Sequence, residues 1–178
     1  MKKVVIVFML IGLSPLCRAQ KYSVESSAVS FFSDGAIEDI AAQNSKSVSI
    51  FNAATGDVVF AIPIKDFEFE KSLMKEHFNE KYMETEKFPR AMFQGKITGF
   101  QSTVSGEQQA RAAGKLTIHG VTKDIDVPGT IEFANGKWVV KSKFIVKLAD
   151  YKITIPQLLW QNIAEEVEAK MEFTYKAQ

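Results

Sequence analysis

The sequence predicts a mainly β domain of about eight long antiparallel strands with one inserted amphipathic helix. Three observations carry that prediction. Apolar residues recur at every second position through most of the chain, which puts them on one face of a strand and polar residues on the other. Turn dipeptides, Asp34-Gly35 and Asn135-Gly136 foremost, separate these runs. Only residues 68–83 exchange the period of two for the longer period of a helix. Antiparallel strands with one apolar face close into a barrel or pack as a sandwich. An eight-stranded barrel is either filled by its own side chains or holds one small ligand.

The N-terminus is read first because it does not belong to that pattern. Lys2 and Lys3 precede an apolar stretch from Val4 to Leu16, and Cys17-Arg18-Ala19 places small residues where a signal peptidase reads. Residues 1–19 are therefore expected to be a signal peptide and 20–178 the mature domain, periplasmic or secreted. The apolar stretch is 13 residues long, short of the roughly 20 that a membrane-spanning helix needs. A rival lipoprotein cleavage at Leu16-Cys17 puts a bulky residue where a small one is usual, so plain cleavage is favoured. Elsewhere no apolar segment reaches spanning length, and no stable membrane insertion is expected.

Loss of Lys2, Lys3 and Arg18, with no acids, takes the formal charge from +1 to −2. A near-neutral domain without a basic block argues against nucleic acid as partner. Cys17 is the only cysteine, so the mature domain is stabilised by its core rather than by disulfides, and all but Phe8 of the chain's 14 Phe are available to build it. A monomer or homodimer is expected.

The strands follow in order. Val24, Val29 and Phe31 open the domain, and Ile37 and 40–44 follow the Asp34-Gly35 turn. Val48 and Ile50 alternate, and Thr55-Gly56-Asp57 turns the chain into Val58, Phe60, Ile62 and Ile64. Pro63 marks an edge or bulge in that strand. The helix is expected over roughly 69–82, with Leu73, Met74, Phe78 and Tyr82 on the barrel and Lys71, Lys75, Glu76 and Lys81 in water. Then Ala91, Phe93, Gly95 and Ile97 share one parity, as do Ala112, Gly114, Leu116 and Ile118 on an expected neighbour. Ile125 and Val127 continue to Pro128-Gly129, a bulge signal, before Ile131 and Phe133. Asn135-Gly136 reads as a type I′ hairpin turn. Trp138, Val140, Phe144, Val146 and Leu148 follow it, against Lys137, Lys141, Lys143 and Lys147. Residues 153–163 lack a period and read as a covering loop or short helical turn. Val167, Ala169, Met171, Phe173 and Tyr175 alternate in the last strand. No repeat, linker or domain boundary interrupts the mature chain.

Catalytic chemistry finds no support in these residues. There is no nucleophile–base–acid constellation, no Gly-x-Ser-x-Gly elbow and no phosphate loop. His77 and His119 are the only histidines, so a metal site would need both, or one with Glu76 or Glu80. His119, beside Gly120, reads instead as a histidine that bonds a turn backbone. The expectation is a non-enzyme with no metal and no cofactor.

Gly114-Lys115-Leu116-Thr117-Ile118-His119-Gly120-Val121-Thr122-Lys123 resembles the signature of the YceI-like family. "HFNEKYMETEKFPRAMFQGKI" (77–97) is similar to that family's other landmark, a helix leading into a Phe-Pro-x-Ala-x-Phe run. The resemblance implies an extended antiparallel barrel, lipocalin-like, with a helix over its opening or side. It also implies an apolar tunnel for a long-chain lipid such as a polyisoprenoid or a fatty amide, and export to the bacterial periplasm. Three positions depart from the family pattern. Ser26-Ser27-Ala28-Val29-Ser30-Phe31 lacks the usual histidine, Asp124 replaces a proline, and Leu148-Ala149-Asp150-Tyr151-Lys152 keeps only Asp150 and an aromatic of a longer motif.

By parity alone, Phe60, Phe93, Phe133, Trp138, Phe144 and Phe173 fill a core or line a cavity. The resemblance turns some inward positions into candidate cavity lining. These are Phe60 and Ile62; Phe78 of the helix; Phe93, Gly95 and Ile97; Leu116 and Ile118; Trp138, Val140, Phe144 and Val146; Met171 and Phe173. Gly95 leaves out a side chain where a core wants volume, so it marks either the path of a ligand chain or the curvature of its strand. Two functions remain in view: a lipid carrier or sink in the cell envelope, and a filled, non-catalytic barrel that acts in envelope stress or on a partner protein.

Overall fold

A computed structural model describes residues 21–35, 39–155 and 164–178. The expected signal peptide, Cys17, the start at Gln20, Ile37 and most of the 153–163 loop lie outside the described residues. The strands are β1 (Lys21–Ser33), β2 (Ile40–Asn44), β3 (Val48–Asn52), β4 (Asp57–Pro63) and β5 (Glu68–Phe69). After the helix α1 (Ser72–His77) come β6 (Arg90–Thr98), β7 (Gly106–Ile118), β8 (Val121–Ala134), β9 (Lys137–Lys147) and β10 (Glu166–Ala177).

Eight of these strands close an antiparallel barrel in the order β1-β3-β4-β6-β7-β8-β9-β10, with β10 paired back onto β1. One edge of β1 pairs with β10 along its length, and the other is shared. Lys21–Ser23 pairs with β3, and Val29–Ser33 with β2, which carries the two-residue β5. Buried Asn44 organises the crossing between β2 and β3. Its Oδ1 accepts from the Lys46 N–H at 2.8 Å, and its Nδ2 donates to the Pro63 carbonyl at 2.8 Å. Pro63 is thus the last residue of β4, where its missing N–H costs the ladder nothing.

Both two-residue hairpins have the backbone of a type I′ turn, with positive φ at each central residue: Asn135-Gly136 at 54° and 75°, His119-Gly120 at 49° and 72°. The outer wall of β7–β10 is laced with cross-strand ion pairs: Lys115–Asp124 at 2.9 Å, Lys147–Glu166 at 3.0 Å and Lys143–Glu168 at 2.7 Å. Charge alternating with apolar residues therefore fixes which face of each strand turns inward.

Three elements differ from the sequence expectation. In β3 the inward residues are Ser49 and Phe51, while Val48 and Ile50 are 59% and 52% exposed. Both parities of that strand carry apolar residues, and Phe51 wins the interior because its ring fills more volume. Pro128-Gly129 is no bulge, since β7 and β8 keep one register through Arg111↔Pro128 and Ala110↔Gly129. On its other side β8 pairs with β9 only over Gly129–Ala134, so Pro128 stands where no partner asks for its N–H. The helix is shorter than its periodicity implies. Phe69 lies in β5 opposite Ala42, α1 has six residues, and Phe78–Tyr82 continues as a π-turn closed by Met83 N–H to Phe78 O at 2.9 Å. The wider turn rotates the two halves relative to one another. Leu73, expected buried on the barrel, borders the cavity under the helix but is 60% exposed.

Candidate functional site, an apolar cavity at one end of the barrel

Inward side chains divide along the barrel axis. At one end they form an aromatic plug. Phe60 stacks on Phe93 and Phe173 at centroid distances of 5.2 and 5.5 Å. Trp138 meets Tyr22, Phe51, Phe100 and Phe133 at 4.9 to 6.4 Å. Its indole nitrogen has no hydrogen-bond partner among the described residues and lies among those rings. Tyr175 joins the plug, its hydroxyl 2.7 Å from Ser49 Oγ, which donates to the Val59 carbonyl at 2.8 Å.

The other end is hollow, with a cavity of about 490 Å³. Ile62 and Ala91 form its floor beside the plug, and Leu116, Ile118, Phe144, Val146, Ala169 and Met171 form its walls. Over it lie α1 and the π-turn, which contribute Met74, His77, Phe78 and Tyr82. Four Phe rings anchor this cover to β1: Phe31 packs on Phe67, Phe69 and Phe78 at 5.4, 5.9 and 5.4 Å. Burial pushes the Tyr82 hydroxyl above its ordinary value, so this phenol faces the cavity neutral.

Of the candidate lining residues, Ile62, Phe78, Leu116, Ile118, Phe144, Val146 and Met171 border the cavity. Phe60, Phe93, Ile97, Trp138, Val140 and Phe173 do not; they belong to the buried core and plug or pack against it. Nor does Gly95, which stands directly opposite Gly114. A Cβ on Gly95 would lie 2.3 Å from the Ala113 carbonyl oxygen and 2.8 Å from the Gly114 Cα. Its missing side chain permits two backbones to approach, which is the curvature reading. Sequence reasoning did not place Val29, Phe31, Phe67, Phe69, Met83 and Val167 at the cavity. The signal available was the density of Phe on both sides of the helix.

His119 ties the cover to the barrel. The Tyr151 carbonyl can only accept, so Nδ1 donates to it across 3.2 Å, and Nε2 lies 3.2 Å from Glu84 Oε2. Lys87, bonded to Glu84, holds that carboxyl below its ordinary value against some desolvation, and His119 adds to the effect. Phe88 packs its ring on His119 at 4.5 Å and over Gly120, where a Cβ would meet it at 2.6 Å. Lys123 reaches Asp150 at 3.5 Å. The stretches 84–93, 114–123 and 148–152, scattered in sequence, thus converge on one corner beside the cavity. His77 and His119 serve different places, and no group of three or more His, Cys, Asp or Glu side chains comes together among the described residues. No helix among them is long and apolar enough to cross a membrane.

The described residues thus form a closed eight-stranded antiparallel β-barrel, plugged by aromatic rings at one end and hollow at the other. The chain belongs to the YceI-like family, whose domain model matches residues 21–175. Among solved structures it is similar to a polyisoprenoid binding domain from Saccharophagus degradans implicated in plant cell wall breakdown, at TM-score 0.77 and 16% identity over 88% of this chain and 98% of that one. It is also similar to BcnA of Burkholderia cenocepacia, at 0.70 and 18% over 83% and 95%. The YceI protein of Campylobacter jejuni aligns over 100% and 99%, at 0.56 and 16%. These likenesses establish the fold. A comparison with curated proteins gives no match.

Proposed function

We propose that this protein is an exported binding protein that holds one long-chain apolar lipid in the hollow end of its barrel, as a carrier or sink in the cell envelope. The observation that carries this reading is the 490 Å³ cavity walled by aliphatic and aromatic side chains. At about 30 Å³ for a group the size of a water molecule, that volume takes about sixteen such groups. This is the size of one fatty chain, and a longer polyisoprenoid would extend out past the helix. Fifteen buried methylenes contribute on the order of 12 kcal/mol at about 0.8 each, before the cost of ordering the chain. The polyisoprenoid binding of the Saccharophagus domain and the leader-like residues 1–19 support the reading.

Native mass spectrometry of protein purified from its own envelope, with lipid extraction, is the test. A co-purifying long-chain molecule, and a mature mass beginning at Gln20, are expected. A clean apo barrel that also refuses every added long-chain lipid would overturn the binding reading. A diacylglycerol adduct on Cys17 would replace free export with a membrane anchor.

A further inference from the structure

The ladder between β8 and β9 stops partway along the barrel. Gly129↔Ser142 is its last pair, and the Ser142 hydroxyl donates to the Pro128 carbonyl at 2.7 Å, where proline has no N–H to offer β9. From there residues 121–128 pair only with β7, and residues 143–147 pair only with β10. This split lies beside the cavity. Leu116 and Ile118 of β7 and Phe144 and Val146 of β9 line the hollow end, while no residue of β8 is in the described lining. Residues 148–153 stand in its place. A short helical turn (Leu148–Tyr151) and the two residues after it put Leu148 and Ile153 at the cavity and bury Tyr151. Where β1 leaves β3, by contrast, β2 pairs into the space, and Asn44 pins it to β4 through Pro63.

Residues 148–153 form a wedge tied to its surroundings by single bonds. The Tyr151 carbonyl accepts from His119 in the β7–β8 turn at 3.2 Å. Asp150 meets Lys123 of β8 at 3.5 Å, and the Leu148 N–H donates to the Glu165 carbonyl at 2.9 Å. Lys152 sits at φ 54°, a left-handed conformation whose cost is released when the turn opens. The cover is held differently, by the packed rings of Phe31, Phe67, Phe69 and Phe78 and by the pairing of β5 with β2.

We propose that the split is the ligand's route into the cavity: residues 148–153 swing outward as a side gate, and a slender apolar chain passes end-on between β8 and β9. The proposal rests on the lipid-binding reading above. Paired strands lie about 4.8 Å apart and share backbone bonds that a passing chain would have to break. A chain therefore crosses the wall where pairing has ended. Such a gate sets how fast ligand exchanges and not how tightly it is held, since free and loaded protein both rest with the gate shut.

Stopped-flow fluorescence of the purified protein with cis-parinarate, an eighteen-carbon polyene that brightens in apolar surroundings, tests this. Lys123→Ala and Asp150→Ala each remove the same exposed ion pair, of a kind that adds little to stability, so both variants fold. Each should speed association and dissociation by one common factor, roughly two- to fivefold, with the dissociation constant unchanged. The double variant should be no faster than either single one. In hydrogen exchange read by NMR, the Lys152 and Ile153 amides, bonded to the Ala149 and Leu148 carbonyls at 3.1 Å, should exchange roughly tenfold faster than the Met83 amide of the cover. Unchanged rates in the variants, faster dissociation alone, or a Met83 amide that exchanges first overturns the side gate and leaves lipid binding standing. A protein that takes up neither cis-parinarate nor any other added long-chain lipid overturns both.

Discussion

Gly95 and Gly114 face each other across the β6–β7 pair, and each stands where a Cβ would enter the other strand's backbone. Gly95→Ala is therefore expected to cost about 1–3 kcal/mol through overpacking, and Gly95→Leu to prevent folding. Chemical denaturation measures the first, and loss of the cooperative transition the second. A Gly95→Leu protein that folds at wild-type stability would return the residue to the cavity. Tyr175 makes a second prediction. Burial pushes its hydroxyl well above the ordinary tyrosine value of 10.0. Above that pH the unfolded chain surrenders this proton while the folded chain keeps it, so the stabilisation is full below pH 10 and is lost as pH rises. Tyr175→Phe cannot ionise and should move alkaline unfolding upward in a pH series of denaturant midpoints. What remains comes partly from Tyr82 and Tyr151, whose hydroxyls burial also raises.

The cover is the element most changed between sequence and structure. Periodicity joins Phe69 to Tyr82 in one helix, because apolar spacing reports which residues seek the interior and not which backbone bonds deliver them there. Strand pairing takes Phe69 into β5 and a π-turn takes Phe78–Tyr82, so Phe78 packs among the rings of the cover while Leu73 borders the cavity only at its rim and stays 60% exposed. Leu73→Ala should change stability by less than about 0.5 kcal/mol. Phe78→Ala should cost more, yet less than the about 3–5 kcal/mol of a fully enclosed Phe, since part of its ring borders empty space. Equilibrium unfolding of the two variants tests the ordering, and equal effects would mean that the cover is loosely attached. The His119 corner is also an element-scale device. Its histidine was legible as a turn-bonding residue, but its bond to Glu84 was not, because that contact depends on how far the 84–88 loop folds back.

At the scale of the whole barrel, the aromatic plug and the cavity occupy opposite ends. Phe93→Ala, in the plug, should cost about 3–5 kcal/mol, with the affinity for a long-chain lipid nearly unchanged. Met171→Ala, at the cavity wall, should alter lipid affinity while costing less stability. Denaturation and lipid titration of both variants check this, and equal coupling of the two properties would refute the division. Parity along β4, β6, β7, β9 and β10 made the inward faces legible, since charge on the other face leaves no alternative. Depth along the axis was not legible. Phe60 and Ile62 share a parity in β4, yet one is plug and the other cavity floor, and only the register of eight strands decides which rings meet. Parity was silent in β3 as well, where Ser49 is inward only because Phe51 outweighs its neighbours.

The seam between β1 and β10 carries a kinetic consequence. Tyr22 pairs with Ala177 and Phe31 with Ala169, and the Gln178 N–H donates to the Lys21 carbonyl at 3.1 Å. The first described strand is thus completed by the last, which gives the domain a high contact order. The entropy of closing so long a loop is spent before the seam returns any energy, and such chains fold slowly. Until β10 arrives, β1 and β9 each present a free strand edge to any other chain nearby. The interval before closure is when this domain is open to mispairing, and also when its chain is still extended enough to be threaded through a narrow pore.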